Sequence, residues 1–165
     1  MGHKCSREVD RFLKILVMSD SHGNKDVMLK AIASESPDLI LHLGDNYRDC
    51  FVIHQDYPDV PFRSVRGNGD FSAPLLDIDE FTFGDKRFCI THGHLFGVKI
   101  DLDTIIDFAI SRGVNVLLFG HTHIPHYSVF RNISIINPGS IGLHIRTYAV
   151  LEIKNGELLC EHKNI

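Results

Sequence analysis

The stretch LVMSDSHGN, from Leu16 to Asn24, passes from apolar to polar side chains within a few residues. Its apolar start is typical of a buried strand, and the strand is followed by Asp20 and His22. Their spacing places both side chains on the same side of an extended segment. Asn24 is a residue type that commonly caps a helix. The stretch therefore predicts a strand, a polar loop and a helix in succession.

The same design recurs along the chain, where apolar segments are followed by polar clusters with a glycine in or directly beside them. Including the cluster in the opening stretch, five polar clusters follow predicted strands: Ser19 to His22, Gly44 to Asn46, Gly67 to Asp70, Thr91 to His94, and Gly120 to His123. Loops beyond the carboxyl ends of strands gather at one edge of an open α/β sheet. Because Asp, Asn and His supply oxygen and nitrogen ligands, the clusters predict one metal site at that edge.

Periodicity and turn residues give the remaining elements. Strands are predicted at 14–18, 39–43, 63–66, 78–83, 87–91, 115–119, 127–131, 133–137, 147–154 and 157–162, and helices at 25–35, 50–55 and 102–112. Strand-helix units come first and hairpins later, which favours α/β layers with mixed sheets over a single all-parallel sheet. We expect one domain over 1–165, with 1–11 as a flexible lead-in.

Composition excludes several classes of partner. The chain has 165 residues, 44% of them hydrophobic and 23% charged, as in a globular domain. Its net charge of -4 argues against charge-driven binding of nucleic acid or a membrane surface. The apolar run from Phe12 to Met18 is too short to cross a bilayer. A small anionic substrate would need local positive charge, and a homo-oligomer is compatible with the sequence.

The cysteines and histidines carry further expectations. The four cysteines are scattered and form no C-x-x-C pair, so we expect reduced thiols in the cytoplasm. Of the eleven histidines, His42 is expected as a hydrogen-bonded core residue, since it lies inside a predicted strand. Surface positions are expected for His3, His54, His126 and His162.

The ordered set of motifs carries a family resemblance. D-x-H, G-D, G-N, H-G-H and G-H-T-H, in that order, resemble the calcineurin-like metallophosphoesterase superfamily. SDSHGN, THGH and INPGSIG further resemble its small prokaryotic phosphodiesterase group. The resemblance implies an α/β fold of two packed mixed β-sheets flanked by helices, the α-β-β-α sandwich of metallophosphoesterases.

The resemblance also implies two divalent metal ions and their ligands. The first ion would be held by Asp20, His22, Asp45 and His123, and the second by Asp45, Asn68, His92 and His121. Asp45 is the implied bridge, because the two oxygens of a carboxylate can span metals about 4 Å apart. Mn²⁺ is favoured by resemblance alone, while Zn²⁺, Fe²⁺, Ni²⁺ and Co²⁺ suit the same ligands.

The implied activity is hydrolysis of small phosphodiesters, by attack of a hydroxide shared between the two metals. Many superfamily members have a histidine directly after the metal-binding asparagine, but here that position is Gly69. Asn68, the metal-binding asparagine, is also a candidate catalytic residue. His94 is a candidate substitute, with a structural role as the alternative. Asp70 is a candidate to orient a ligand histidine, and Arg146 to contact phosphate.

Other interpretations stay open at this point. The protein could be a phosphomonoesterase, because the sequence does not show what closes the pocket. It could also be a protein-binding scaffold like the retromer subunit Vps29, in which the D-x-H histidine is typically replaced. The presence of His22 favours an enzyme. The segment Asn137 to Ser140 is typical of a tight turn, and the resemblance places it near the metals.

Overall fold

The computed structural model describes residues 12–165, so the expected lead-in over 1–11 lies outside the described part, together with His3 and Cys5. The strands are β1 (Leu13–Met18), β2 (Leu39–His42), β3 (Phe62–Ser64), β4 (Ile78–Phe83), β5 (Lys86–Thr91), β6 (Val116–Leu118), β7 (Pro125–Phe130), β8 (Ile133–Pro138), β9 (Thr147–Lys154) and β10 (Glu157–Asn164). The α-helices are α1 (Lys25–Glu35), α2 (Phe51–Asp56) and α3 (Asp103–Arg112). Single 3-10 turns cover Tyr47–Cys50 and His94–Phe96.

The strands form two mixed sheets of five. The first has the order β10-β9-β1-β2-β3, with β1, β2 and β3 parallel and β9 antiparallel to β1. The second has the order β4-β5-β6-β8-β7, with β5, β6 and β8 parallel and an antiparallel strand at each edge. The predicted fold of two mixed sheets is confirmed.

Alternation along the central strands produces the layers. In β1, Ile15 and Val17 pack into the core between the sheets, whereas Leu16 and Met18 pack beneath α1. The second sheet covers its outer face with α3 in the same way. Full burial of each such side chain contributes about 1.5–3 kcal/mol. The result is the predicted helix-sheet-sheet-helix sandwich.

Strand direction sorts the connections onto two edges. The five polar clusters lie together at one edge, the strand-end edge, where the amide of Asp20 donates to Gly44 O at 3.0 Å and that of Gly120 to His92 O at 3.1 Å. The three hairpin turns, at 84–85, 131–132 and 155–156, lie at the opposite edge, the turn edge. The sheet register therefore gathers the polar clusters in one place.

Several local details differ from the predictions. Asn24 is the N-cap residue of α1 as predicted, but its side chain makes no capping hydrogen bond and instead donates to Gly142 O at 2.7 Å. Strand β10 runs on to Asn164 because that residue still pairs with Thr147. His126 and His162 are half-buried rather than on the surface, while His54 is exposed as expected.

The described helices are short. The longest, α1, has eleven residues, and no helix in 12–165 has the length and hydropathy needed to cross a membrane.

Candidate metal centre

Asp20 lies at the centre of the site, and its side chain is fully buried. Its Oδ2 accepts hydrogen bonds from Ser19 Oγ at 2.5 Å and from the backbone amide of His121 at 3.2 Å. Its Oδ1 lies 3.1 Å from His123 Nε2 and 3.9 Å from His22 Nε2. One carboxylate oxygen is thus held by the protein, while the other faces these two imidazoles and also that of His92, at 3.9 Å.

A second set of ligand atoms lies around His92, which is also fully buried. Its Nε2 is 3.1 Å from Asn68 Oδ1, 3.6 Å from Asp45 Oδ2 and 3.9 Å from Asp20 Oδ1. The other oxygen of Asp45 accepts from the amide of Gly69 at 2.8 Å. The atoms that converge here are one imidazole nitrogen and three oxygens.

The orientation of His92 shows that these atoms suit a cation. Its Nδ1 donates to the carbonyl of Leu43 at 2.7 Å, so in the neutral ring the lone pair is on Nε2. That lone pair then faces the oxygens of Asn68, Asp45 and Asp20, all of them acceptors. A divalent cation satisfies such a set of acceptors, so the residues present fit a metal.

The ligand atoms form two groups that could each hold an ion. One consists of Asp20, His22 and His123, and the other of Asp20, Asp45 and His92, with the atoms of each within 4.8 Å of one another. The two groups share Asp20, whereas the resemblance implied Asp45 as the bridge. Asp45 has one oxygen turned towards Gly69, so its bridging role stays a prediction.

His121 lies beside these groups but belongs to neither. Its ring centroid is 5.0 Å from that of His92. Burial, followed by the neighbouring His92, lowers the pKa of His121 to about 4. The imidazole is therefore neutral near pH 7, the form that a metal ligand needs, and its role as a ligand stays a prediction.

Most of the candidate ligands have a left-handed backbone, a conformation that side-chain-bearing residues rarely adopt. Their φ angles are 55° for Asp20, 45° for His22, 63° for Asp45, 67° for His121 and 61° for His123. Such strain is concentrated at functional sites, where surrounding structure enforces it. Two glycines permit the close packing involved, since a Cβ at Gly67 would collide with the Asp45 carboxylate and one at Gly120 with Ser19 Oγ.

Asp70 does not orient a histidine as the sequence suggested. Among residues 12–165, the donors to its carboxylate are all backbone amides, those of Asp45 at 2.9 Å, Gly67 at 3.0 Å, Asn46 at 2.9 Å and Tyr47 at 3.0 Å. Asp70 therefore joins the loop after β2 to the loop after β3, and it positions Asp45 through the backbone.

His94 lies next to the ligands, and its ring contacts the rings of two of them. Its ring centroid is 5.5 Å from that of His92 and 6.2 Å from that of His121. Its Nδ1 is buried without a hydrogen-bond partner in the described structure. Burial lowers the pKa of His94, which keeps it neutral at pH 7. Its part in catalysis stays a prediction.

Arg146 is exposed, and its side chain forms none of the ion pairs or hydrogen bonds found within 12–165. Its predicted contact with phosphate stays a prediction.

Sequence reasoning missed Asp49. This carboxylate is buried and accepts from Ser21 Oγ at 2.8 Å, from the Gly23 amide at 2.7 Å and from Asn46 Nδ2 at 3.3 Å. It braces the loop that carries Asp20 and His22 against the loop that carries Asp45. Its position in a short helical turn, outside the five clusters, gave no local signal of this role.

The segment that begins at Asn137 packs on the loop after β1. Ser140 Oγ donates to Asp20 O at 2.9 Å, and the amide of Gly142 donates to the same carbonyl at 3.2 Å. Asn137 Nδ2 donates to Gly120 O at 2.8 Å. The segment therefore fixes the backbone of two loops that carry candidate ligands, the loop at Asp20 and the loop at Gly120.

The fold and the donor set define a metal-dependent phosphoesterase, and comparisons with known proteins agree. A family model described as the calcineurin-like phosphoesterase superfamily domain matches residues 13–156. YsnB of Bacillus subtilis, named as a probable metallophosphoesterase, is 35% identical over 151 residues, which cover 87% of this chain and 86% of YsnB. The chain belongs to the calcineurin-like phosphoesterase superfamily.

Two further relatives bear on the alternatives. The phosphodiesterase MJ0936 of Methanocaldococcus jannaschii is 29% identical over 146 residues, 77% of this chain and 83% of that protein. Vacuolar protein sorting 29 of Cryptosporidium parvum superposes with a TM-score of 0.76 at 12% identity, over 94% of this chain and 99% of the other. The second likeness concerns the fold alone. The prediction of a phosphoric ester hydrolase is confirmed at the level of the family.

Proposed function

We propose that the protein is a phosphodiesterase that works with two divalent metal ions. The observation that carries this proposal is buried negative charge that no lysine or arginine of the described residues balances. Four carboxylates are buried at the strand-end edge, those of Asp20, Asp45, Asp49 and Asp70. Among residues 12–165, no lysine or arginine forms an ion pair with any of them. Buried charge of one sign is costly unless cations balance it.

Two sets of residues would hold the ions. Asp20, His22 and His123 suit one, and Asp45, Asn68 and His92 suit the other, with His121 as a further candidate for the second. When bound, the ions supply positive charge that lowers the pKa of water and stabilises phosphate oxygens.

The chain itself contributes a fixed arrangement of ligands. His92 is held by Leu43 O, and Asp20 is held by the Ser19 hydroxyl and the His121 amide. Groups fixed in this way need little rearrangement when charge develops on the substrate, which is a large part of catalysis by preorganised sites.

Cavities at both ends of the ligand series support a diester substrate. The ligands follow one another from His123 through Asp20 and His92 to Asn68. A cavity of about 430 Å³ is lined by His123 at one end, and one of about 300 Å³ by Asn68 at the other. A phosphodiester carries two organic groups and a monoester only one, so space on both sides favours the diester. The activity in the name of MJ0936 points the same way.

Mn²⁺ is the metal we propose to test first, since the mixed oxygen and nitrogen ligands suit it.

We also propose a cytoplasmic location. Burial raises the pKa of the Cys89 thiol to about 12 and that of Cys160 to about 11, and it also raises the pKa of Cys50. Such thiols are unreactive, and all three are free. Cell fractionation tests the location.

The decisive experiment measures hydrolysis of bis(p-nitrophenyl) phosphate and p-nitrophenyl phosphate together with bound metal. Wild-type protein is compared with His22→Ala, and exposed His54→Ala is the matched control. We expect wild type and the control to bind two ions and to prefer the diester. We expect His22→Ala to lose metal and activity together.

The other outcomes select the alternatives. A preference for the monoester would indicate a phosphomonoesterase. Inactivity of wild type with Mn²⁺, Zn²⁺, Fe²⁺, Co²⁺ and Ni²⁺ would indicate a binding scaffold.

A further inference from the structure

Phe71 is unusually exposed for a large aromatic side chain, at 90% of its full accessible area. It lies three residues after the candidate ligand Asn68. An aromatic ring in water contributes little to the stability of the fold, whereas an apolar patch beside a site, here Phe71 together with the exposed Leu95, is typical of ligand binding.

The backbone that carries Phe71 is rigid. Asp70, the preceding residue, is fixed by the four amides that its carboxylate accepts, and its own carbonyl accepts the amide of Ala73 at 3.0 Å. The amide of Asp70 donates to Gly67 O at 3.2 Å. These hydrogen bonds fix the backbone from which the ring projects, and the faces of the ring stay free for a ligand.

Phe71 borders the cavity of about 300 Å³ that opens beside the metal centre. Asn68 and His94 line the side of this cavity next to the ligands, and Leu95, which is 61% exposed, lines it together with Phe71. Because Asn68 belongs to both, the cavity is continuous with the place where phosphate would be held.

The charges in this cavity are balanced. Arg66 also lines it, and its guanidinium donates to both oxygens of Asp77, at 2.9 and 2.7 Å. A guanidinium paired with a carboxylate through two hydrogen bonds has little charge left to attract another anion. The cavity therefore suits an uncharged organic group better than a second phosphate.

We propose that Phe71 and Leu95 receive one organic group of the diester and favour a flat aromatic ring over a small alkyl group. This inference rests on the proposed function, because it names the substrate class of the same site. Aromatic rings stack on one another with modest but specific energies, and an exposed phenylalanine on a fixed backbone provides such a surface.

The test measures binding of two diesters with poorer leaving groups than p-nitrophenol to Mn²⁺-loaded protein, by calorimetric titration on a time scale over which no phenol or ethanol is released. Diphenyl phosphate and diethyl phosphate carry the same charge and differ in their organic groups. We expect wild type to bind diphenyl phosphate about tenfold more tightly, the size of effect that one stacked ring provides. We expect Phe71→Ala to abolish most of this preference and to change the affinity for diethyl phosphate by less than about twofold.

Three further variants make the test specific. Phe71→Tyr should keep the preference, because it keeps the ring, and Leu95→Ala should reduce it. Phe130→Ala, at the turn edge, removes a ring that is 45% exposed and should leave the preference unchanged.

The outcomes separate this inference from the proposed function. If wild type hydrolyses bis(p-nitrophenyl) phosphate but Phe71→Ala keeps the preference, or weakens both ligands equally, the inference is wrong and the function stands. If wild type hydrolyses no diester, both are overturned.

Discussion

Residues at both edges of the sandwich adopt the same rare left-handed backbone conformation, but it serves a different purpose at each edge. At the turn edge, Arg131, Asn132 and Asn155 have φ angles of 46°, 65° and 51°, and their side chains are exposed. At the strand-end edge, Asp20 and Asp45 have φ angles of 55° and 63°, and both are buried. The backbone shape is similar, but the surroundings are opposite.

The difference shows what each edge requires of its side chains. A hairpin turn needs the left-handed shape alone, and glycine adopts it at no steric cost. A ligand loop needs the shape together with a carboxylate or imidazole, and buried partners must hold both. Substitutions at the two edges should therefore have opposite consequences.

The largest expected effect is at Asp20. Asp20→Asn keeps the shape of the side chain but removes its charge, so we expect metal affinity and hydrolysis to fall by more than about 100-fold, above the usual effect of outer partners. The measurements are metal content after gel filtration and kcat/KM for bis(p-nitrophenyl) phosphate. Wild-type activity in this variant would contradict a central role for Asp20.

A substantial loss of stability is expected at Asp70. Asp70→Ala leaves four backbone amides without their acceptor, so we expect the free energy of unfolding to fall by about 3 kcal/mol or more. Urea denaturation measures this change. Asp56→Ala, at an exposed position at the end of α2, is the matched control and should change it by less than about 0.5 kcal/mol. Equal effects at the two positions would argue against the bracing role.

Stability should also depend on pH through His42. Burial lowers the pKa of His42 from 6.5 to about 4, and its Nε2 lies 3.2 Å from Ser21 Oγ. The unfolded chain therefore binds a proton between pH 6.5 and 4 that the folded chain excludes. Neutral His42 therefore contributes fully to the free energy of unfolding above pH 6.5. This contribution is lost as the pH falls towards 4, and the loss is at most about 3 kcal/mol.

The variant His42→Gln isolates this effect. Urea denaturation at pH 7.5 and 4.5 should show a smaller loss of unfolding free energy in the variant than in wild type. The same loss in both proteins would assign the acid sensitivity to other groups.

The smallest expected effect is at Arg131, whose φ of 46° nearly equals the 45° of His22. Arg131→Gly relieves the left-handed strain and should raise the free energy of unfolding by about 0.5 kcal/mol with unchanged hydrolysis. His22→Gly relieves the same strain but should lower hydrolysis more than about tenfold. If both variants kept full activity, the contrast between the edges would fail.

Much of the fold could be predicted from local patterns. Apolar segments that end in polar loops located the central strands of both sheets, because burial on both faces leaves a continuous apolar signal. The turn at Asn155 and Gly156 was also predictable, since both residues tolerate the positive φ angles that they adopt, 51° and 79°.

What could not be predicted depends on contacts between distant parts of the chain. Asn24 is a favourable cap in sequence, but the carbonyl of Gly142 draws its side chain away. Asp70 acts through backbone amides, which are present at almost every position and leave no trace in the sequence. Asp49 binds one backbone amide together with the side chains of Ser21 and Asn46, a combination that only the folded chain brings together. The candidate ligands were visible as types, whereas their grouping around Asp20 needed the geometry.

The segment from Ser140 to Gly142, which packs on the loop after β1, also affects the order in which the protein folds. Three hydrogen bonds from Ser140, Ile141 and Gly142 hold the backbone at Ser19 and Asp20, about 120 residues earlier in the chain. Closing so long a loop is entropically unfavourable until both sheets have formed. A chain emerging from the ribosome therefore acquires its first ligand early but can fix it only near the end of synthesis, which delays tight metal binding until the sandwich is nearly complete.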